Sequence, residues 1–174
     1  ISVIKGKNIE KYKEFANNAT GDEMFRMNLY PIAFRNTDET LWKRYSLDKI
    51  TGFEEKELFR TWCFLNRFPA ISKIVAQQKK PKVIIGTGIS YLVDFFSCFA
   101  GQIGINTPIY TSKIAPNSSQ SSNQYKRSYY LAKLDYGSKL FVIPFFSAGQ
   151  YGLNSNDLIQ QMGGIIRNQY LKIK

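Results

Sequence analysis

Residues 81–100 join an apolar strand, a glycine turn and a helix in one uninterrupted run. The strand reads PKVII, the turn is the GTG of residues 86–88, and a helix rich in leucine, valine and phenylalanine follows from Ser90. A strand that turns through glycines into a helix is half of a βαβ unit. Because such units place helices against the faces of a sheet, this segment predicts an α/β domain.

Hydrophobic periodicity predicts the other elements of the chain. In chain order they are a helix at 7–18, a strand at 23–29, a polar surface excursion at 35–50, a helix from residue 53, a mobile basic loop at 112–128, strands at 129–134 and 140–144 joined by a hairpin or a loop at 135–138, and a helix at 156–169. Leu58, Trp62 and Leu65 mark the apolar face of the helix from residue 53, and Pro69 kinks or restarts it. We expect one domain over residues 1–174, with three α/β/α layers around a central, mostly parallel sheet.

The charge of the chain favours a polyanionic partner. The sequence has 24 lysine and arginine residues against 13 aspartate and glutamate residues, a formal net charge of +11. Each phosphate that such a surface neutralises releases counterions. Nucleic acid is therefore the expected partner, with a generic basic protein as the alternative. There is no run of about 18 apolar residues, so we expect no membrane span and a cytoplasmic or nucleoid-associated protein.

The sequence contains no histidine, which removes the commonest general base and metal ligand. Cys63 and Cys98 lie far apart in apolar surroundings, TWCFL and FSCFA, and neither has a metal-ligand spacing. We expect both to be buried thiols in a reducing compartment. The sequence thus predicts no metal and no cofactor, and any catalysis must use other groups.

The order of the features is more specific than any one of them. FRMNLYP, a polar excursion and the helical stretch FRTWCFLNRFPAISKIVAQQKK precede PKVIIGTGISYLVDFF, and LFVIPFFSAGQYGLNSNDLIQQM follows later. This order resembles the uracil-DNA glycosylase superfamily, in which a strand ending in a base-binding asparagine leads through a helix to a Pro-Lys-Val-Ile strand, a glycine and another helix. The resemblance covers residues 24–96 and 140–166, and it implies a uracil-DNA glycosylase-like domain that binds DNA.

The resemblance also implies roles for three residues. Asn28 matches the asparagine that pairs with the Watson–Crick edge of a flipped-out base, since a side-chain amide offers a donor and an acceptor together. Phe145 and Ser147 lie in the stretch that matches the second active-site loop of that family. We therefore expect a base-binding pocket near Asn28, closed by residues 145–152. The alternative is that Asn28 caps a turn through its own backbone.

Two departures from the family pattern bear on catalysis. The first catalytic segment of the family normally precedes the asparagine strand, and residues 1–23 do not match it, so that segment lies upstream of Ile1 or is lost. The second segment normally opens with a histidine, whereas this chain reads VIPFFS and has Phe145 there. Phenylalanine cannot donate a hydrogen bond to a departing base anion, and losing such a donor typically costs a factor of about 100 or more in rate. The catalytic residues stay unassigned.

Three other groups of residues are candidate nucleic-acid contacts. Gly86 and Gly88 could cradle a phosphate with backbone N–H groups, or could let the strand pack tightly against the helix. Lys126 and Arg127 could contact a phosphate backbone, or could form a solvated rim. Aromatic side chains at positions 125, 129, 130, 145, 146 and 151 could stack on bases, although a sheet with helices on both faces needs most of them in its core.

Three functions are consistent with these observations. The first is a divergent DNA glycosylase that hydrolyses the N-glycosidic bond of uracil or another damaged base. The second is a catalytically inactive module of the same fold that binds nucleic acid or a protein. The third is a nucleotide- or small-anion-binding α/β protein that uses the turn at Gly86.

Overall fold

The structure, a computed structural model, describes residues 25–32, 40–79, 81–101, 107–117 and 125–171. In chain order the helices are α1 (Thr40–Arg44), α2 (Leu47–Thr51), α3 (Lys56–Trp62), α4 (Phe68–Ile74), α5 (Leu92–Phe99) and α6 (Asn156–Leu171). The strands are β1 (Val83–Thr87), β2 (Ile109–Ile114), β3 (Arg127–Lys133) and β4 (Lys139–Ile143). π-helical turns at Cys63–Arg67 and Val75–Lys79 extend α3 and α4 into one long helix, and a 3-10 turn at Ile89–Tyr91 precedes α5. The helix expected at 7–18 lies outside these residues. Within them, no helix has the length and apolar character needed to cross a bilayer.

The four strands form one mixed sheet in the order β1-β4-β3-β2. β1 and β4 are parallel, whereas β4 pairs with β3 and β3 with β2 in antiparallel register. The α/β class is confirmed, but the expectation of a mostly parallel sheet is wrong for the described strands. A tight turn at 135–138 reverses the chain between β3 and β4, with the Gly137 N–H donating to the Leu134 carbonyl at 2.9 Å. Only strands that are joined by a long crossover can run parallel.

The long helix and α5 pack against one face of the sheet. Leu140 and Val142, alternate residues of β4, are buried in the same cluster as Phe59 and Phe68 of the long helix and Cys98 of α5. This cluster is the larger of the two cores and also holds the segment at residues 29–32.

Helix α6 packs against the opposite face. Phe141 and Ile143 of β4 are buried there with three residues of α6, which are Leu158, Met162 and Ile166. Successive residues of a strand point to opposite faces, so β4 contributes to both cores. The spacing of the three buried residues of α6 confirms the helix expected from 156.

The apolar face of the long helix differs from the expected one. The residues of the expected face are 42–71% exposed and are Leu58, Trp62 and Leu65. Cys63 and Phe68 are fully buried instead. The Phe68 N–H donates to the Cys63 carbonyl five residues earlier, and this wider π-helical turn brings both residues onto one face. Pro69 lies at the start of α4, and the helical conformation continues through it.

Two segments that were expected to be irregular contain regular structure. The described part of the excursion at 35–50 holds α1 and α2, and the buried Trp42 indole donates to the Phe53 carbonyl at 3.0 Å. The loop expected at 112–128 holds the end of β2 and the start of β3, which pair from Ile109 to Ile114; residues 118–124 lie outside the described part. β2 is exposed over its first five residues, so it lacks the alternation by which a strand is recognised.

Residues 25–29, expected to end a strand, do not join the sheet. Arg67 of the long helix binds their backbone instead. Its Nε donates to the Leu29 carbonyl at 2.9 Å and its Nη2 to the Asn28 carbonyl at 3.3 Å. The Arg67 side chain therefore supplies these carbonyl groups with hydrogen-bond donors that a neighbouring strand would otherwise provide.

Candidate nucleic-acid interface

The carboxyl ends of β1 and β4 lie at one edge of the sheet, because the two strands are parallel. The Gly88 N–H donates to the Ile143 carbonyl at 2.7 Å across this edge. The carboxyl end of β2 and the amino end of β3 reach the same edge, since Ile114 pairs with Arg127. Open α/β sheets bind their ligands outside the carboxyl ends of parallel strands, so this edge is where a site is expected.

Phe145 covers the turn that follows β1. Gly88 has a φ of 104°, and a Cβ built on it would lie 2.4 Å from Cζ of Phe145. Only glycine leaves room for that ring. Tyr91 supports the ring from the side in a T-shaped arrangement, with the ring centroids 6.2 Å apart. Phe145 is still 45% exposed, so it is available to a ligand.

Residues 145–153 form a compact loop whose ends touch. The Leu153 N–H donates to the Phe145 carbonyl at 2.8 Å. Gly152 lies so close to Ser147 that an added Cβ would be 2.4 Å from the Ser147 carbonyl oxygen. The closed loop leaves Phe146 and Ser147 exposed to solvent.

Arg127 ties this loop to the start of β3. Its side chain is buried, with Nε donating to the Gly152 carbonyl at 3.2 Å, Nη2 to Asn154 Oδ1 at 3.3 Å, and Nη1 to the Tyr125 carbonyl. All three guanidinium nitrogens are engaged by the protein itself. This placement does not fit the expected phosphate contact, whereas the neighbouring Lys126 is exposed.

A second aromatic pair lies beside the loop. The rings of Tyr125 and Tyr151 form a T-shaped contact with centroids 5.6 Å apart, and they are 37% and 58% exposed. Of the six aromatic residues considered for stacking, Tyr129 and Tyr130 pack against the two cores. The other four are exposed at this edge of the sheet, and we call them the aromatic edge: Tyr125, Phe145, Phe146 and Tyr151.

The aromatic edge lies in a stretch of sequence that is almost free of acidic residues. Between Asp94 and Asp157 the chain has one acidic residue, Asp135. Asp135 lies in the turn between β3 and β4, at the opposite edge of the sheet. Lys113, opposite Ser128 in the β2–β3 pair, is exposed, as is Lys126.

Asp157, in the first turn of α6, is held by the loop that follows β2. Its carboxylate accepts hydrogen bonds from the Asn117 backbone at 2.9 Å, the Asn117 side chain at 2.7 Å and Gln161 at 2.9 Å. These bonds hold the pKa of Asp157 below its usual value. The negative charge of Asp157 is therefore stabilised by these hydrogen bonds, whereas the loop at 145–153 carries no acidic side chain.

The two glycines considered as a phosphate cradle have packing roles. A Cβ added to Gly86 would lie 2.8 Å from the ring of Phe95 in α5. The Gly88 N–H is already bonded to Ile143, and the Phe145 ring lies over the turn. These contacts favour tight packing over anion binding for both residues.

Asn28 lies beside the long helix. Asn28 is exposed, and the contact that holds it is the one from Arg67 to its carbonyl. Among the described residues, no hydrogen bond is seen between Asn28 and Gly88, Phe145 or Ser147. Six of the expected site residues lie at or beside these strand ends, and Asn28 contacts the long helix; the six are Gly86, Gly88, Lys126, Arg127, Phe145 and Ser147.

A partly buried polar network around Arg60 contacts Tyr30, in the segment that contains Asn28. Arg60 donates to the Tyr30 hydroxyl at 3.5 Å, to Asp94 Oδ1 at 3.4 Å and to Glu57 at 2.9 Å. Asp94 is 2% exposed, and its Oδ2 has no hydrogen-bond partner in the described part of the chain. Burial raises the pKa of Asp94, although the Arg60 guanidinium acts in the opposite direction. Burial also raises the pKa of Tyr30. Through Arg60, Asp94 is linked to the Tyr30 hydroxyl.

The cysteines are free and buried, as expected. Burial raises the pKa of Cys63, and raises the pKa of Cys98 to about 12. The thiolate is the reactive form, so neither residue is a candidate nucleophile. In the residues described, no group of three histidine, cysteine or acidic side chains is placed to hold a metal.

Sequence reasoning assigned no role to Tyr91 or to the Arg60–Asp94 pair. Tyr91 lies three residues after the GTG turn, so its position just beyond the carboxyl end of an expected strand was a signal for this site. Asp94 is the one charged residue in SYLVDFFSCFA, and an isolated charge in an apolar helix indicates a buried partner. Nothing in the local sequence identifies that partner as Arg60.

Comparison of the chain with models of known protein families, with curated proteins and with solved structures gave no match.

Proposed function

We propose that this protein binds nucleic acid through the aromatic edge. The observation that carries the proposal is four exposed aromatic side chains at the end of the sheet where its parallel strands terminate. Aromatic rings stack on base faces, and each stacked base contributes about 1–3 kcal/mol. The net charge of +11 and the exposed Lys126 supply attraction for phosphates.

We also propose that the fold is a divergent relative of the uracil-DNA glycosylase type. Two features support this. The strand, glycine turn and helix at residues 83–99 follow the order that the resemblance implies. β4 then leads into the loop at 145–152 at the same edge of the sheet. Asn28, bound by Arg67 outside the sheet, does not support this part of the proposal.

The binding proposal is tested by titrating a labelled oligonucleotide at several salt concentrations. We expect log K to fall against log salt by roughly 0.7–0.9 for each phosphate contacted. Lys126→Glu should weaken binding to all sequences alike and reduce this slope by about one phosphate contact.

Lys49→Glu is the matched control, because Lys49 is an exposed lysine of α2 and its reversal changes the net charge equally. It should weaken binding less than Lys126→Glu does. An affinity that is absent at low salt, or that does not change with salt, would show that nucleic acid is not the partner.

Base excision is a narrower activity that the resemblance implies. The loop after β4 offers an extruded base the rings of Phe145 and Tyr151 and the hydroxyl of Ser147. It offers no imidazole, since the chain has no histidine. We therefore expect at most slow excision of uracil or another damaged base.

The excision assay incubates the protein with oligonucleotides that contain uracil, hypoxanthine or xanthine and then cleaves abasic sites with alkali. Slow strand breakage that depends on the damaged base would support a glycosylase. If no strands break at stoichiometric protein over many hours, the glycosylase function is excluded and nucleic-acid binding remains.

A further inference from the structure

We infer that the ligand of the aromatic edge is an unpaired strand of nucleic acid, an inference that rests on the nucleic-acid binding proposed above. The edge holds two separate ring pairs, and each pair has one ring that is more open to solvent. Phe145 lies against Tyr91 and over Gly88. Tyr151 lies against Tyr125. Each pair is a platform on which one base face can stack.

The two platforms are held in place before any ligand binds. The buried Arg127 guanidinium donates both to the Tyr125 carbonyl and to the carbonyl of Gly152, the residue after Tyr151. The Leu153 N–H donates to the Phe145 carbonyl, so the same loop fixes the other platform. A preorganised surface loses less conformational entropy on binding, which favours stacking on it.

The chemistry of the edge favours open bases over a duplex. In a duplex the base faces are covered by neighbouring base pairs. A protein then contacts mainly the phosphates and the base edges in the grooves. The described cations that are exposed at these strand ends are Lys113 and Lys126, fewer than the aromatic rings beside them. Stacking is therefore the larger contribution, and stacking requires unpaired bases.

The test uses three labelled probes: an oligothymidine of about 12 nucleotides, a blunt duplex of that length and an abasic strand of that length. The abasic strand keeps the phosphates and lacks the bases. We expect the oligothymidine to bind about tenfold or more tightly than either of the other two probes.

Substitutions distinguish the contribution of ring stacking from that of apolar contact alone. Phe145→Leu and Tyr151→Leu keep apolar bulk and remove the aromatic ring, so each should weaken oligothymidine binding about tenfold. Tyr151→Phe keeps the ring and should retain binding. Tyr45→Leu is the control, because Tyr45 is exposed between α1 and α2, outside the edge. Unfolding curves show whether each variant is folded. If Phe145→Leu does not fold, the comparison of Tyr151→Leu with Tyr151→Phe still tests the inference.

The outcomes distinguish this inference from the proposed function. Equal affinity for the three probes would overturn the unpaired-strand inference and leave binding of polyanions intact. Equal weakening by Tyr45→Leu and Tyr151→Leu would also overturn it. If none of the probes binds at low salt, the inference and the proposed function both fail.

Discussion

Arg127 and Lys126 are adjacent cations with different roles. Arg127 is buried and binds two backbone carbonyls and an amide oxygen, whereas Lys126 is exposed. Arginine suits the buried position because its planar guanidinium presents several donors at once. Replacing Arg127 by Glu would therefore detach the loop at 145–153, and it would test the fold rather than phosphate binding. Charge reversal at Lys126 avoids this problem.

Asp94 should make the stability of the protein depend on pH. Its pKa is raised in the folded state, so the folded protein holds this proton more tightly than the unfolded chain does. Its contribution to the free energy of unfolding is therefore complete below the unfolded pKa of about 3.9, and is lost as pH rises through the folded pKa. In that window the loss is about 1.4 kcal/mol per pH unit.

Asp94→Asn should remove this dependence. Relative to wild type, the variant should gain stability as pH rises above about 4, as measured by denaturant unfolding between acidic and neutral pH. Arg60 keeps its hydrogen bonds to Tyr30 and Glu57 in the variant. Asp135→Asn, in an exposed turn, is the control. A stability difference between Asp94→Asn and wild type that stays constant with pH would contradict the burial argument.

In the long helix, a π-helical turn determines which side of the helix is buried. Apolar residues occur on more than one side of α3, so periodicity alone offers two candidate faces. Trp42 and Phe53 pack against Phe59, with ring centroids 5.4 and 5.8 Å away. The π-helical turn then adds a residue to the spacing and carries the same buried side on to Phe68.

Neighbouring residues of α3 should therefore differ sharply in their contribution to stability. Phe59→Ala empties a buried site and should lower the free energy of unfolding by about 3–5 kcal/mol. Leu58→Ala, on the exposed face, should change it by no more than about 0.5 kcal/mol. Denaturant unfolding of the two variants makes the comparison. A larger loss for Leu58→Ala would mean that the expected face is the buried one.

In the molecule as a whole, two features of the fold leave the aromatic edge open to a polyanion. Both faces of β4 are buried against helices, and the strand ends remain available for loops. The described acidic residue between Asp94 and Asp157 lies at the far edge, in the β3–β4 turn. Asp135 and the aromatic edge thus lie at opposite ends of the sheet, which reduces the repulsion that a polyanion meets at the aromatic edge.

Local sequence patterns were sufficient to predict several elements of this fold. The strand, glycine turn and helix at 83–99, the helix from 156 and the two cysteines in apolar surroundings follow from periodicity and neighbouring residues. Phe145 and Ser147 were also recognised as neighbours in one loop after a strand, because β4 and the loop after it are continuous in sequence.

The tertiary structure decided what depends on contacts between distant residues. The antiparallel pairing of β3 and β4 results from the tight turn at 135–138. The backbone of Asn28 is bound by Arg67, which is 39 residues away in the sequence. The burial of Arg127 depends on Gly152, 25 residues later in the chain. Local composition does not encode such partners, because a side chain's hydrogen bonds and burial are set by whichever surface the fold places against it.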